Sequence, residues 1–380
     1  MKNIAILCDS NPFLKPRPAR MIEMLKDYYP LFVFGRGIEE SERVVSFPLS
    51  KSSSQRSEEE NNAIAKACLE KNFDFLLYTK ERQILQDKLL STPSLSLLIV
   101  EDITLLPFAL AYKEKNPKCK IMIDLREFYP LEYENDSSWL RSFGAFFEYL
   151  CSHFLHKVDF ALTVSEGIAR KYQEVYSLPC TLFLSLPPYY PLTPSQNTTI
   201  RLIYHGLISS DRESENLLEI ARNLRSGIEM NLMVLSNHTQ FLQEFKNEAK
   251  NIPNLSLLPP VRLEEIIPFT SRFDVGLITL KPNGFNNTHA LPNKFFEYIQ
   301  ARLALLTTPL PSLAPLIERY KLGKCSSDFS TSSIIEAINS LSLEEVQTYK
   351  QNSHIASEEL NLTSNQAKIL NIIQTLLGEK

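Results

Sequence analysis

Residues 187–198 read PPYYPLTPSQNT. A proline has no backbone donor and cannot continue a helix interior or a central strand, so a stretch holding four of them interrupts any regular element. This stretch divides the 380-residue chain into two halves that must each build a core. At roughly 150 residues per domain, the length fits that division. It reads as an interdomain linker.

Before the linker, short apolar runs alternate with amphipathic segments. Ile4 to Leu7 and Leu31 to Phe34 read as strands, with a helix over Arg17 to Tyr28 between them. Ser57 and Glu60 form a capping box opening a helix that runs through Glu70. Strand-like runs follow at Phe73–Tyr78, Leu95–Val100, Lys120–Asp124 and Asp159–Val164. Continuous apolar runs bounded by polar turns suit parallel strands covered on both faces. Beyond the linker the pattern restarts at Arg201–Tyr204, Met230–Leu235, Leu255–Leu258, Asp274–Leu280 and Leu303–Thr307, and Leu343–Leu377 reads as helical. The expectation is an α/β chain: an N-terminal Rossmann-like domain over 1–186, the linker 187–198, a second Rossmann-like domain over 199–360, and a closing helix over 361–380 that packs back toward the first.

Composition removes several function classes. Lys plus Arg is 40 and Asp plus Glu is 44, a net charge of -4 that gives no support for a broad nucleic-acid-binding surface. The six cysteines contain no C-x-x-C pair, so buried thiols in a reducing cytoplasm are the simplest reading. The apolar run after Met1 is too short for a secretory signal, and no stretch approaches the roughly 20 apolar residues of a membrane span. No H-E-x-x-H, G-x-x-x-x-G-K-S/T or G-x-S-x-G occurs, and no G-x-G-x-x-G follows the first strand. His153 and His156 share a helix face, but no carboxylate or thiol cluster nearby completes a metal site.

The strongest local signal is LPNKFFEY, residues 291–298. Pro292 suits a helix start, and a helix start attracts phosphate through its free N–H groups. Asn293 and Lys294 stand there, with Glu297 on the face of Lys294 one turn deeper. Lysine could meet a diphosphate and the carboxylate ribose hydroxyls; the same spacing is also that of a solvated Lys–Glu pair. Other candidates stand at strand ends: Gly206 with Arg212 six residues on, and Asp124, Arg126 and Glu127 after the run from Lys120. Ser165 and Glu166 suit a helix start. Arg17 and Arg20, after the first strand, could bind an anion or sit on an exposed helix face.

In LPNKFFEYIQARLALLTTPLPSL the chain resembles the donor-site helix of GT-B glycosyltransferases of family 4, the group 1 transferases. Glu297 resembles the second Glu of that family's Glu-x7-Glu motif, and the position of the first is His289. IYHGL followed by Asp211 and Arg212 is similar to the family's strand, glycine and cation segment, with Leu207 where an arginine often follows the glycine. IDLREFYP resembles its acceptor-side D-x-H-E segment, with Arg126 in place of His, and DFALTVSEG resembles its D-x-v-i-t-V-S-E strand and helix start.

The resemblance implies two domains facing across a cleft and a cytoplasmic enzyme that moves a sugar from a nucleotide-sugar donor to a glycan, lipid-linked or protein acceptor. It implies retention without a metal or cofactor. Gly206, Arg212, His289, Asn293, Lys294 and Glu297 would bind the donor; Arg17, Arg20, Asp124 and Arg126 the acceptor. Glu127, Arg126, Arg212 and Lys294 would serve catalysis. Peripheral contact with the inner face of a membrane stays open. So do two other classes: a degenerate GT-B protein that binds nucleotide or glycan without turnover, and a GT-B epimerase or hydrolase acting on sugar nucleotides.

Overall fold

The structure is a computed structural model and describes residues 2–210 and 213–379. Asp211 and Arg212 lie outside the described residues. The chain divides into two compact units. One comprises the residues up to Ser185 with Gly284–Asn286 and the chain from Asn365 onward; the other comprises Leu186–Asn283 and Asn287–Ser364.

The sheet of the first unit holds β1 (Asn3–Leu7), β2 (Leu31–Arg36), β3 (Val44–Phe47), β4 (Leu95–Val100), β5 (Lys120–Leu125), β6 (Phe160–Thr163) and β7 (Thr181–Leu182). All pairs are parallel, in the order β3-β2-β1-β4-β5-β6-β7. Helices cover both faces, so Ile4–Leu7, Leu97–Val100 and Ile121–Ile123 are fully buried, as their unbroken apolar runs require. The order reverses direction between β1 and β4. Open α/β sheets leave a crevice at the carboxyl ends of such strands.

The second sheet repeats the plan with β8 (Ile200–Leu207), β9 (Ile228–Leu235), β10 (Leu255–Leu257), β11 (Val275–Ile278), β12 (Ala304–Thr307) and β13 (Gly323–Cys325). It is parallel in the order β10-β9-β8-β11-β12-β13, with the reversal between β8 and β11. The α/β expectation with two Rossmann-like sheets therefore holds. No described helix is long and apolar enough to cross a membrane.

Two local readings need correction. Phe73–Tyr78 is not a strand: Phe73–Leu77 is a helix, capped by the Asn72 side chain accepting from the Phe75 N–H at 3.4 Å. A short apolar run is ambiguous in period, and here the cap decides. Ser165 occupies a helix N-cap position but makes no capping bond; its hydroxyl is buried without a partner. The Ser57–Glu60 capping box forms as read, opening the helix Glu58–Leu69.

The proline stretch is fastened to the second unit. Arg302, fully buried, donates to the carbonyls of Tyr190 (2.6 Å), Leu192 (3.2 Å) and Gln300 (2.6 Å). Farther along, Ser195 and Asn197 join the buried Lys350–Asp274 pair: Lys350 donates to Asp274 (2.7 Å) and Ser195 (2.8 Å), and Asn197 donates to Asp274 (2.7 Å). Prolines cannot satisfy one another, so charged side chains satisfy their neighbours' carbonyls instead. In the first unit the closing helix Leu362–Leu377 is tied down by Asn365 donating to the Leu184 carbonyl (2.5 Å) and Gln366 to that of Met24 (3.0 Å).

Removing the Arg302 fork strands several buried carbonyls. Arg302→Ala is expected to destabilise the second unit by about 3 kcal/mol. Urea unfolding checks this through a lowered midpoint with an unchanged denaturant slope.

Candidate functional site

Each sheet carries a polar cluster at its reversal point, and the two clusters differ in kind. In the first unit the charges are mostly spent on each other. Arg17, expected to touch an acceptor, is buried and forked onto Asp124 through Nε and Nη2, the latter at 2.7 Å, and its Nη1 donates to the Phe183 carbonyl at 2.6 Å. Arg20 is half-buried and donates to the Ser185 carbonyl (2.7 Å) and hydroxyl (2.8 Å). Arg126 donates to Asp102 (2.8 Å) and to the Glu101 carbonyl (3.0 Å). Asp9, just past β1, receives Arg36 (2.5 Å) and Arg82 (2.7 Å). Burial pushes its carboxyl up, but those two guanidiniums outweigh it and hold the carboxyl below its usual value. Glu127 is exposed, and its carbonyl accepts from the Tyr172 hydroxyl at 2.7 Å.

Sequence reasoning missed Glu101, the residue after β4. It is fully buried, and neither carboxylate oxygen has a hydrogen-bond partner. Burial, then the negative charge of Asp124, pushes its carboxyl up to about 8. A neutral acid is the affordable form of a buried carboxyl facing other carboxylates. Its only trace in the sequence is a charge directly following an apolar run.

The second unit is arranged differently. The helix Asn293–Gln300 lies across β8 and β11, with Phe295 to Gln300 buried. Gly276 in β11 makes this possible: a Cβ there would meet the Tyr298 ring at 2.3 Å. The Tyr298 hydroxyl accepts from the His205 N–H and donates to the Ile203 carbonyl, both at 3.2 Å. The helix start is thereby set against the end of β8. There Gly206 has φ +126, a conformation that disfavours side chains, and a Cβ would come within 3.2 Å of the Lys294 Nζ.

Lys294 and Glu297 do not behave as a solvated pair. The Lys294 ammonium stands 3.9 Å over the Tyr204 ring and has no carboxylate partner among the described residues. Glu297 turns inward and is 5% exposed, its Oε2 lying 3.5 Å from the His205 Nε2. His205, also missed in sequence, is nearly as buried. Burial, then the Lys294 charge, drops its imidazole to about 3, so the contact with Glu297 is not an ion pair. Lys281, after β11, is neutralised by Glu213. His289 is half-buried and its carbonyl accepts from the Ser312 hydroxyl at 3.0 Å; Asn293 opens the helix, half-buried. Leu207 is 42% exposed. Arg212 lies outside the described residues. No group of three or more His, Cys, Asp or Glu suited to a metal ion occurs among the described residues.

The raised acid has a stability consequence. Glu101 binds its proton in the folded chain up to about pH 8, whereas an unfolded glutamate releases it near 4.5. Between those values the folded state holds more protons, so this group's contribution falls as pH rises. Glu101→Gln is expected to gain on the parent by up to about 1.4 kcal/mol per pH unit across that window. Denaturant unfolding of both chains at pH 5, 6.5 and 8 checks it.

No family model and no curated protein matches the sequence. Solved structures do match over the whole chain. A sucrose-phosphate synthase from Thermosynechococcus elongatus superposes with a TM-score of 0.74 at 10% identity, covering 100% of both chains. An alpha,alpha-trehalose-phosphate synthase (UDP-forming) from Burkholderia vietnamiensis gives 0.67 at 12% identity, covering 99% of this chain and 100% of its own. An Anabaena protein solved in complex with UDP and glucose gives 0.68 at 11% identity, with 99% and 100% covered. Identities this low speak to architecture, and the architecture they share with this chain is the two-domain GT-B fold.

Proposed function

We propose that this chain transfers a glycosyl group from a nucleotide-sugar donor to a glycan, lipid-linked or protein acceptor. One observation carries the reading: Lys294 is an ammonium without a carboxylate partner among the described residues, standing against a side-chain-free Gly206 at the reversal point of a doubly wound sheet. An unneutralised cation at a helix start beside open backbone favours an anionic group such as a diphosphate. Glu297, one turn deeper, suits the ribose hydroxyls. Asn293 and His289 flank the same helix start and take donor contacts in this reading. The similarity to structures described as UDP-forming, or holding UDP and glucose, supports a nucleoside diphosphate as the anion.

In this mechanism the leaving diphosphate gathers charge as the glycosyl bond breaks. Lys294 and the helix N–H groups are already aimed, so they stabilise that charge without reorganising. Arg212 is the second cation of the reading, supported by its place after Gly206 in the sequence. Acceptor recognition belongs to the first unit. Arg126 offers guanidinium donors, and Glu127 would orient the acceptor hydroxyl. Asp124 and Arg17 hold the floor beneath them rather than reaching the acceptor, since each occupies the other. Retention, independence of metal and a cytoplasmic site of action come with the family resemblance. Peripheral membrane contact enters only with a lipid-linked acceptor.

One observation favours a second reading, binding without turnover: Leu207 stands exposed where the family often has a cation. A thermal-shift panel of UDP, GDP, ADP and CMP identifies the nucleotide, because only a bound ligand raises stability. Incubation with the matching nucleotide sugar then separates the two readings. Release of nucleoside diphosphate supports turnover, and tight binding with no release supports the second.

Two outcomes are expected once the donor is known. Glu297→Ala should weaken the nucleotide by about 1.5–3 kcal/mol, roughly 10- to 150-fold, in a calorimetric titration. Lys294→Ala and Arg212→Ala should each lower kcat more than they raise the donor KM, and the double variant should be non-additive. Steady-state kinetics over the four proteins checks this.

A further inference from the structure

Three residues of the loop between β11 and the helix Asn293–Gln300 belong to the other unit. Gly284–Asn286 are part of the first unit, whereas Asn283 and Asn287 are part of the second. The Phe285 N–H donates to the Glu134 carboxylate, and the Phe285 ring meets the Phe128 ring edge-on with centroids 5.7 Å apart. Gly284 has φ +101, and a Cβ there would come within 2.5 Å of the same carboxylate. The Lys171 ammonium stands over both rings, 5.9 Å from that of Phe128 and 5.8 Å from that of Phe285. Asn286 makes the contact that matters most. Its Oδ1 accepts from the Phe128 N–H at 2.7 Å, and its Nδ2 donates to the Phe128 carbonyl at 3.1 Å. The Tyr172 hydroxyl takes the complementary groups, donating to the Glu127 carbonyl at 2.7 Å and accepting from the Tyr129 N–H at 3.3 Å. Each peptide plane flanking Phe128 is thus held by one bond from Tyr172 and one from Asn286. A carboxamide suits the task because it carries a donor and an acceptor side by side.

We infer that Asn286 is a positioning residue for the acceptor-side turn at Glu127, and that it ties this turn to the loop leading into the donor helix. The inference rests on the nucleotide-sugar reading above and adds to it a link between the segments that serve the two substrates. Tyr172 comes from the first unit's own core, but Asn286 lies 158 residues beyond Phe128, on the chain that runs on to Asn293. That chain carries bonds of its own. The Asn287 side chain donates to the Asn283 carbonyl at 3.1 Å, the Ala290 N–H to the Asn287 carbonyl at 3.3 Å, and the Ser312 hydroxyl to the His289 carbonyl at 3.0 Å. A nucleotide seated on the helix start at Asn293 restrains this loop, and the Asn286 carboxamide passes the restraint to both peptides around Phe128. With the helix start empty the carboxamide opens more often, and the turn that carries Glu127 loosens with it.

Amide hydrogen exchange at residues 127–131 tests this. The full chain is measured with and without whichever of UDP, GDP, ADP and CMP raises its melting temperature. In the parent the nucleotide should slow exchange at 127–131 by roughly threefold, less than at 293–298. Asn286→Ala should lose the slowing at 127–131 and keep that at 293–298. Should Asn286→Ala not fold by thermal melt, Asn286→Ser, too short to reach both groups of Phe128, carries the same expectation. An Asn286 variant that keeps the full slowing at 127–131 overturns the proposal. So does one that loses protection at both segments, because a merely structural role predicts that pattern, and so does a parent slowed at 293–298 alone. Failure of the underlying reading looks different: no nucleotide of the panel binds, or one binds and protects neither segment, and both inferences then fall.

Discussion

The second unit depends on one close approach, the Tyr298 ring against the bare backbone of Gly276. It lets the helix Asn293–Gln300 settle onto β8 and β11, and the Tyr298 hydroxyl then joins the helix to the strand through His205 and Ile203. Everything distinctive about the site follows. Lys294 reaches the end of β8, Gly206 leaves room for it, and Glu297 is carried below the surface beside His205. A side chain at position 276 would push the helix away and dissolve the arrangement without altering any of the candidate site residues.

The two reversal points use charge in opposite ways. In the first unit Arg17 is matched to Asp124, Arg126 to Asp102, and Arg36 and Arg82 to Asp9, so the guanidiniums chiefly build a rigid floor. Glu101 stays outside those pairs, and its acid resolves the conflict by keeping its proton. In the second unit the cation is left over. Lys281 has Glu213, but among the described residues Lys294 meets an aromatic face and no carboxylate, and such a face attracts an ammonium without neutralising it. A surplus cation in a crevice is a feature a ligand can complete.

Much of this was legible in the sequence because parallel strands announce themselves. Ile4–Leu7 and Leu97–Val100 are unbroken apolar runs, and burial on both faces demands that. The proline stretch is an equally local signal, and the two compact units divide just before it, between Ser185 and Leu186. Phe73–Leu77 misled because five residues are too few to show a period, and the cap at Asn72 is a weak signal. The family resemblance singled out Gly206, Lys294 and Glu297, and the structure places all three around the end of β8. His205 and Glu101 were not legible, because nothing in a linear pattern says that a polar residue at a strand end will be buried. The burial of Arg17 was hidden likewise, since its partner Asp124 is 107 residues away.

The central claim is a location: a nucleoside diphosphate binds at the end of β8 against the helix start at Asn293. Amide hydrogen exchange of the full chain, with and without the nucleotide that stabilises it, reads that location directly. The account predicts added protection concentrated in residues 204–208 and 293–298, with the amides following β1 and β4 little changed. Protection centred on the first unit's reversal point, with the β8 end unaffected, would contradict it.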